Sequence, residues 1–193
     1  MKKHICIFCS SSDKIAQSYF DAAEILATDL ASKGHTVVCG GGSHGLMGKI
    51  ISVMVKNGGY VVGVIPKFMR EVEWDSKQLD QLIVVEDMRQ RKKQMIENAD
   101  AIVALAGGCG TLEELMEVIT LKRLGQFTKP IIILNTNGFY NHLELFLLKM
   151  VDENFINKES IDIWKFVDYP EQVLDAINNA TPWSSDAIKF AVV

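Results

Sequence analysis

The sequence predicts an α/β fold, a doubly wound parallel sheet of about six to seven strands with helices on both faces. Short apolar runs rich in Val and Ile alternate along the chain with longer amphipathic segments. The short runs carry few charges, as expected of strands that are covered on both faces. Several amphipathic segments end at glycine, a residue that commonly follows a helix. Together these observations favour repeated strand–helix–strand units over any all-helical or all-β arrangement.

The individual elements follow from this alternation. The candidate strands are residues 4–9, 36–39, 60–65, 82–85, 101–105 and 130–134, with a shorter edge strand at 165–167. The candidate helices are residues 18–33, 46–56, 89–98, 111–124, 139–153 and 170–179. Gly34 and Gly125 end two of these helices. Residues 66–81 are the least regular part of the chain, and a crossover of that length often serves a ligand site.

Composition narrows the class of protein. The chain has 193 residues, of which 48% are hydrophobic and 23% are charged, with a formal net charge of −4. This suits a single globular domain, expected over residues 1–180, with a tail of residues 181–193 that packs through Trp183. The negative charge argues against a general nucleic-acid binder or a protein that binds anionic membranes.

The sequence also predicts a cytoplasmic protein. No apolar run approaches the roughly 18 to 20 residues that span a bilayer, and the apolar residues 5–9 are too short for a signal peptide. The four cysteines (Cys6, Cys9, Cys39, Cys109) are too few for a disulfide scaffold. We interpret those near strand ends as small buried residues, and the scattered histidines predict no metal site.

Two glycine-rich loops follow predicted strands, and each precedes a helix. The first spans residues 40–48 (GGGSHGLMG), and the second spans residues 107–111 (GGCGT). Loops at the carboxyl ends of parallel strands border the ligand crevice, where backbone N–H groups and a helix N-terminus can bind phosphate. A dinucleotide-binding site requires an acidic residue after the next strand, and this sequence has none there. The P-loop pattern requires Ser or Thr after its lysine, but Lys49 is followed by Ile50. We therefore expect a single phosphate, with a ligand-free tight turn as the alternative for either loop alone.

Charged residues accompany the second loop. Glu113, Glu114 and Glu117 begin the helix after it, and acidic residues in a first turn are often only favourable partners of the helix dipole. A carboxylate at the crevice can instead stabilise an oxocarbenium ion or activate water. Upstream, residues 88–95 (MRQRKKQM) start a helix just after a strand. An arginine that points inward there is a candidate ligand for an anion or a leaving group.

In combination, these motifs resemble a known family. They read Gly41-Gly42-Ser43-x-Gly45-Leu46-Met47-Gly48, Met88-x-x-Arg91-Lys92-x-x-Met95 and Gly107-Gly108-x-Gly110-Thr111-x-x-Glu114. In this order they are similar to the "Lonely guy" (LOG) family of cytokinin riboside 5'-monophosphate phosphoribohydrolases, often mislabelled lysine decarboxylases. The similarity covers about residues 3–178, including Lys129-Pro130 and Asn135-x-x-Gly138-Phe139-Tyr140.

The resemblance implies a Rossmann-like fold, a homodimer, no cofactor, and hydrolysis of a nucleoside 5'-monophosphate to free base and ribose 5-phosphate. It implies that Arg91 and Glu114 are the catalytic pair, that the second glycine loop and Thr120 hold phosphate and ribose, and that Glu73 lies near base or sugar. Replacing Glu114 by Gln is then expected to abolish turnover without loss of the fold. The substrate-binding residues expected on this basis are Gly41, Gly42, Ser43, Gly45, Met47, Glu73, Lys92, Gly107, Gly108, Cys109, Gly110, Thr111, Leu112, Glu113, Glu117 and Thr120.

The chain departs from the family pattern at four positions. Ala106 replaces a proline, and Cys109, Leu121 and Cys39 replace aromatic residues. The glycines of the second loop and the acidic residue Glu114 are retained. The departures therefore concern which base the substrate carries, isopentenyladenine or adenine, more than the type of reaction.

Two other functions remain as alternatives. One is a non-catalytic carrier of a phosphorylated nucleotide or cofactor, which has no reason to keep both Arg91 and Glu114. The other is a pyridoxal-dependent decarboxylase, for which no lysine stands out. The helices at 46–56 and 111–124 are the candidate dimer faces.

Overall fold

The computed structural model describes residues 1–71 and 75–191. Within them, seven strands form one parallel sheet: β1 (His4–Phe8), β2 (Thr36–Cys39), β3 (Tyr60–Pro66), β4 (Gln81–Val85), β5 (Ala101–Ala104), β6 (Ile131–Leu134) and β7 (Lys165–Val167). Their order is β4-β3-β2-β1-β5-β6-β7. The predicted α/β class and strand number are confirmed, and β7 is the expected edge strand.

Helices connect the strands: α1 (Gln17–Ser32), α2 (Gly45–Lys56), α3 (Lys67–Glu71), α4 (Met88–Ile96), α5 (Cys109–Arg123), α6 (Asn141–Asp152) and α7 (Val173–Asn178). Most predicted boundaries hold within two residues. The segment predicted as one helix at 170–179 begins as a 3-10 turn, Pro170–Gln172, before α7. The irregular segment at 66–81 contains the short helix α3, which no sequence pattern indicated.

Apolar side chains cover both faces of the sheet. In β1, Ile5 and Ile7 pack with residues of α1, α2 and α7, whereas Cys6 and Phe8 pack with residues of α4, α5 and α6. The alternation follows from the twofold side-chain period of a strand. Each fully buried Leu or Ile side chain contributes about 1.5 to 3 kcal/mol, so the two clusters account for much of the stability.

Helix α2 lies in the core. Its apolar residues Leu46, Ile50, Ile51 and Met54 are buried against the sheet and α1. The apolar pattern that made residues 46–56 a candidate dimer face is therefore used within the chain itself.

The strand order reverses between β1 and β5. The chain winds outward from β1 to β4 and then returns to place β5 on the other side of β1. At such a switch point the loops after the two central strands diverge to opposite faces and leave a crevice. Here the loop after β1 and the second glycine loop, after β5, border it.

The C-terminal tail packs on α5. Trp183 Nε1 donates a hydrogen bond of 2.7 Å to the carbonyl oxygen of Lys122, and Ala187 is buried. Among the described residues, none of the helices has the length and apolar character needed to cross a membrane.

Candidate active site

A cleft of about 460 Å³ occupies the crevice at the switch point. Its walls come from the loops after β1, β2 and β5 and from α3, α4 and α5. Eight of the sequence-predicted site residues line it: Gly42, Met47, Arg91, Gly108, Gly110, Thr111, Glu113 and Glu114. The fold therefore brings parts of all three motifs to one place.

Arg91 and Glu114 form a buried ion pair in this cleft. Arg91 Nη1 lies 2.9 Å from Glu114 Oε1, and the two side chains are 9% and 10% exposed. Arg91 Nε also donates a hydrogen bond of 3.1 Å to the carbonyl oxygen of Val64 at the end of β3. With two different acceptors, the planar guanidinium group is fixed in orientation.

Local structure directs Arg91 inward. The Asp87 side chain caps α4 by accepting hydrogen bonds of 2.9 Å from the backbone N–H groups of Arg89 and Gln90. Helix α4 therefore begins at Met88, and its buried residues are Arg91 and Met95. Gly40 makes room for the guanidinium, since a Cβ at that position would lie 1.9 Å from Arg91 Nη2.

The environment of Glu114 opposes its charge. Burial raises the pKa of the Glu114 carboxyl above its ordinary value, and the neighbouring Arg91 guanidinium partly offsets this. A buried carboxylate beside a fixed cation is a typical arrangement for a group that stabilises charge during a reaction.

The second glycine loop presents free backbone donors to the cleft. Helix α5 begins at Cys109, and its N-cap residue Gly108 supplies no capping side chain. In the described part of the chain, no protein acceptor engages the N–H groups of residues 108–111. Gly107 packs against Thr111, whose Oγ1 would lie 2.1 Å from a Cβ there. This helix N-terminus is suited to bind a phosphate.

The first glycine loop is occupied from within the chain. The Asp13 carboxylate accepts a hydrogen bond of 2.7 Å from Gly45 N and lies 3.0 Å from His44 Nδ1. The Ser10 carbonyl oxygen accepts from the N–H groups of Leu46 and Met47. Since the N-terminus of α2 already holds the Asp13 carboxylate, this loop shapes the cleft and is less suited than the second loop to bind an anion. Gly41, Ser43 and Gly45 do not line the cleft.

Other predicted residues lie away from the cleft lining. Lys92 Nζ pairs with Glu113 and lies 2.9 Å from Glu117 Oε2, so Lys92 links α4 to α5. Thr120 donates a hydrogen bond of 2.8 Å to the carbonyl oxygen of Met116 and lines a separate groove between α5 and α6. Gly107 and Cys109 within the second loop, and Leu112 just after it, do not line the cleft, and Glu73 lies outside the described residues.

Part of the cleft wall consists of residues that the sequence did not predict as site residues. Residues 9–12 (Cys-Ser-Ser-Ser), after β1, line it together with the apolar side chains of Ile65, Met69 and Met88. Ser10 Oγ accepts a hydrogen bond of 3.0 Å from Ser12 N. A run of serines directly after the first strand, at the position where the strand order reverses, was the available signal.

Cys6, Cys9 and Cys39 are buried thiols, whereas the expectation of burial is wrong for Cys109, which is exposed at the start of α5. Burial raises the pKa of Cys6 and Cys9 well above the usual value and raises that of Cys39 to about 11. They are free, and the described residues contain no group of three or more His, Cys, Asp or Glu side chains that could hold a metal.

A second motif supports the strand that leads to the second glycine loop. Tyr140 is 2% exposed, and its hydroxyl donates a hydrogen bond of 2.8 Å to the carbonyl oxygen of Leu105, just after β5. Asn135 Oδ1 in turn accepts a hydrogen bond of 2.7 Å from Tyr140 N. The aromatic residue therefore fixes the end of β5 where the second loop begins.

Comparison with solved structures shows the same fold. A molybdenum cofactor carrier protein from Chlamydomonas reinhardtii superposes with a TM-score of 0.72 at 20% identity, covering 93% of this chain and 98% of that one. A molybdenum cofactor binding protein from Rippkaea orientalis gives 0.70 at 21% identity, with coverage of 92% and 96%.

Comparison of sequences identifies the family. A family model described as possible lysine decarboxylase matches residues 47–177. Cytokinin riboside 5'-monophosphate phosphoribohydrolase LOG1 of Arabidopsis thaliana is 47% identical over 155 residues, which cover 80% of this chain and 73% of that protein. LOG2 of the same plant is 40% identical over 190 residues, with coverage of 98% and 89%. The chain thus belongs to the LOG family of cytokinin riboside 5'-monophosphate phosphoribohydrolases.

Proposed function

We propose that this protein is a hydrolase that cleaves the N-glycosidic bond of cytokinin riboside 5'-monophosphates, releasing the free base and ribose 5-phosphate. The observation that carries the proposal is the buried Arg91–Glu114 pair beside an unoccupied helix N-terminus. One cleft thus combines an anion site with a fixed carboxylate and a fixed cation.

The reaction matches these charges. Breaking the bond from C1' to the base nitrogen builds positive charge on the ribose and negative charge on the base. Glu114 stabilises the sugar cation and orients the water whose oxygen bonds to C1'. Arg91 stabilises the departing base. One proton of that water stays on the new C1' hydroxyl, and the base takes up the other. Because both groups are held before substrate binds, they need no reorganisation during the reaction.

Helix α5 sets the spacing between binding and chemistry. Thr111, at the open N-terminus, and Glu114 are one turn apart, a rise of about 4.5 Å along the helix. A phosphate at the amide groups of residues 108–111 would therefore place the attached ribose alongside Glu114. Binding energy from the phosphate is then available to position the bond that reacts.

The chemistry of the cleft disfavours the other candidates. A carrier does not require a buried Arg–Glu pair. The chain shares its fold with carrier proteins at only about one-fifth sequence identity, and a shared fold alone does not assign a carrier function. A pyridoxal enzyme requires a lysine for the Schiff base, and the described residues that line the cleft include none. The proposed hydrolysis needs water and no cofactor.

We place a homodimer interface on the groove between α5 and α6. Phe146 and Phe155, which line this groove, are 55% and 71% exposed. The predicted face at residues 111–124 contributes Met116 and Ile119 to the same groove. Exposed aromatic residues around an apolar groove are typical of a subunit interface. Sedimentation of wild type and Phe146→Glu tests this, and a monomeric wild type would contradict it.

We further propose that residues 1–180 form the catalytic domain, followed by the tail, and that the protein works in the cytoplasm. Four free thiols, including three that are buried, are consistent with a reducing compartment.

Base release from isopentenyladenosine 5'-monophosphate and from AMP, followed by chromatography, tests the proposal. The wild type is expected to release free base and ribose 5-phosphate, and Glu114→Gln is expected to bind the nucleotide without releasing base. The two substrates rank the preferred base. If wild type binds both nucleotides tightly and releases neither base, the carrier function replaces the hydrolase.

A further inference from the structure

A buried lysine lies at the edge of the sheet opposite the active-site cleft. Lys122, near the end of α5, is 2% exposed. The residues around it come from the amino-terminal ends of β6 and β7, whereas Arg91 and Glu114 follow carboxyl ends of strands. In the described part of the chain, no carboxylate lies within ion-pair distance of Lys122 Nζ, and no hydrogen-bond acceptor engages it. An unpaired buried charge is expensive, so this lysine requires an explanation.

Lys122 lines a cavity of about 330 Å³. The charged side chains of its lining are those of Lys122, Asp162 and Lys165. Asp162 comes from the 3-10 turn Lys158–Ile163, and Lys165 comes from β7. The remaining lining residues are uncharged: Pro130, Ile131, Ile132, Ile163, Trp164, Ala176, Asn179, Ala180 and Thr181. With two cations and one anion, a single added negative charge would make the cavity neutral.

The tail closes this region. Trp183 donates to the Lys122 carbonyl oxygen, and its ring centroid lies 5.8 Å from Lys122 Nζ. The indole face gives partial compensation for the ammonium charge, since a cation at this distance is attracted by the ring. It supplies no hydrogen-bond acceptor, so the three N–H groups of Lys122 remain available to a ligand.

We propose that this cavity is a binding site for a small singly charged oxyanion of the carboxylate class, held by Lys122. The amide of Asn179 and the hydroxyl of Thr181 offer neutral donors in the same cavity. Asp162 is exposed, so it disfavours a doubly charged anion by a repulsion that solvent screens.

Binding is expected to depend on pH. Burial lowers the pKa of Lys122 to about 8, with Asp162 opposing the shift. The anion binds the ammonium form, so affinity falls as pH rises above that value, by up to about tenfold per pH unit. Below it, affinity levels off until the ligand is itself protonated.

Titration calorimetry with sodium acetate, at ionic strength held constant with chloride, tests the site. Lys122→Met removes the proposed ligand group and leaves the amide groups at the start of α5 intact. Lys158→Met is the matched control, since Lys158 is exposed and lies outside the cavity. We expect wild type and Lys158→Met to bind acetate with affinities within twofold of each other. We expect Lys122→Met to lose this binding.

A second measurement follows Lys122 directly. Acetate is expected to slow modification of the Lys122 amine by an amine-selective reagent, measured by mass spectrometry of the wild type. Equal acetate binding by wild type and Lys122→Met would overturn the proposal, as would affinity that is unchanged between pH 7 and pH 10. Tighter Lys122-dependent binding of inorganic phosphate would overturn the assignment to singly charged carboxylates.

Discussion

Arg91 and Glu114 come from helices that follow different strands, yet their side chains meet 2.9 Å apart in a buried ion pair. Neither charge is stable in that environment without the other, because removing one partner leaves an uncompensated buried charge. The pair therefore behaves as one unit in binding, chemistry and titration.

The first prediction concerns pH. Since burial raises the pKa of Glu114, kcat/KM is expected to fall on the acid side with a midpoint above the ordinary value of 4.5. Arg91 opposes this shift, so Arg91→Met should move the midpoint to still higher pH. The pH profile of base release measures both midpoints. An Arg91→Met midpoint equal to or below that of wild type would contradict the assigned coupling.

The second prediction concerns Gly40. A Cβ there would lie 1.9 Å from Arg91 Nη2 and 3.0 Å from Met47 Cε. Gly40→Ala should therefore displace a guanidinium that is fixed by two acceptors, and a misplacement of about 1 Å can reduce the rate by about 100-fold. Steady-state kinetics and circular dichroism separate misplacement from unfolding. A folded Gly40→Ala variant with wild-type kcat/KM would exclude this role.

The third prediction distinguishes two threonines of α5. Thr111 Oγ1 faces the open loop, whereas Thr120 hydrogen-bonds to its own helix in a different groove. A hydrogen bond to a charged group contributes about 1.5 to 3 kcal/mol, so Thr111→Val should raise KM by about tenfold or more. Thr120→Val, the matched control, should change KM less than twofold. The opposite ranking would return the phosphate to the position that the family resemblance implied.

The fourth prediction concerns Lys92. Because Lys92 itself does not line the cleft and its ammonium group pairs with Glu113 and Glu117, Lys92→Met should change kcat by less than about threefold. Lys93→Met serves as a control for loss of an exposed positive charge on the same helix. Initial rates at saturating substrate provide the measurement, and a loss of kcat comparable to that of Glu114→Gln would make Lys92 part of the chemistry.

The fifth prediction concerns stability. The folded-state pKa of Lys122, about 8, lies below the ordinary 10.5, so the unfolded chain binds its proton more tightly. The resulting penalty is fully present below pH 8 and is lost as pH rises from 8 to 10.5. Lys122→Met should therefore raise the free energy of unfolding at pH 7, by an amount on the order of 3 kcal/mol. Urea denaturation at pH 7 and pH 10 measures it, and a variant less stable than wild type at pH 7 would contradict the prediction.

The sequence by itself determined the order and type of the elements. Apolar runs such as residues 101–105 and helix ends such as Gly34 are local signals, and the strand–helix alternation leaves few topologies for a parallel sheet. The order of the motifs was equally local, and through resemblance it indicated the family and the expected reacting pair, Arg91 and Glu114.

Only the tertiary structure decided which donors are free and which side chains meet. The two glycine loops read alike in sequence, but Asp13, about 30 residues away from Gly45, fills the first and leaves the second open. The same holds for α2, whose apolar stripe is covered by α1, and for Lys122, whose burial depends on the tail. Each outcome depends on contacts between distant segments, and periodicity along the chain carries no information about such contacts.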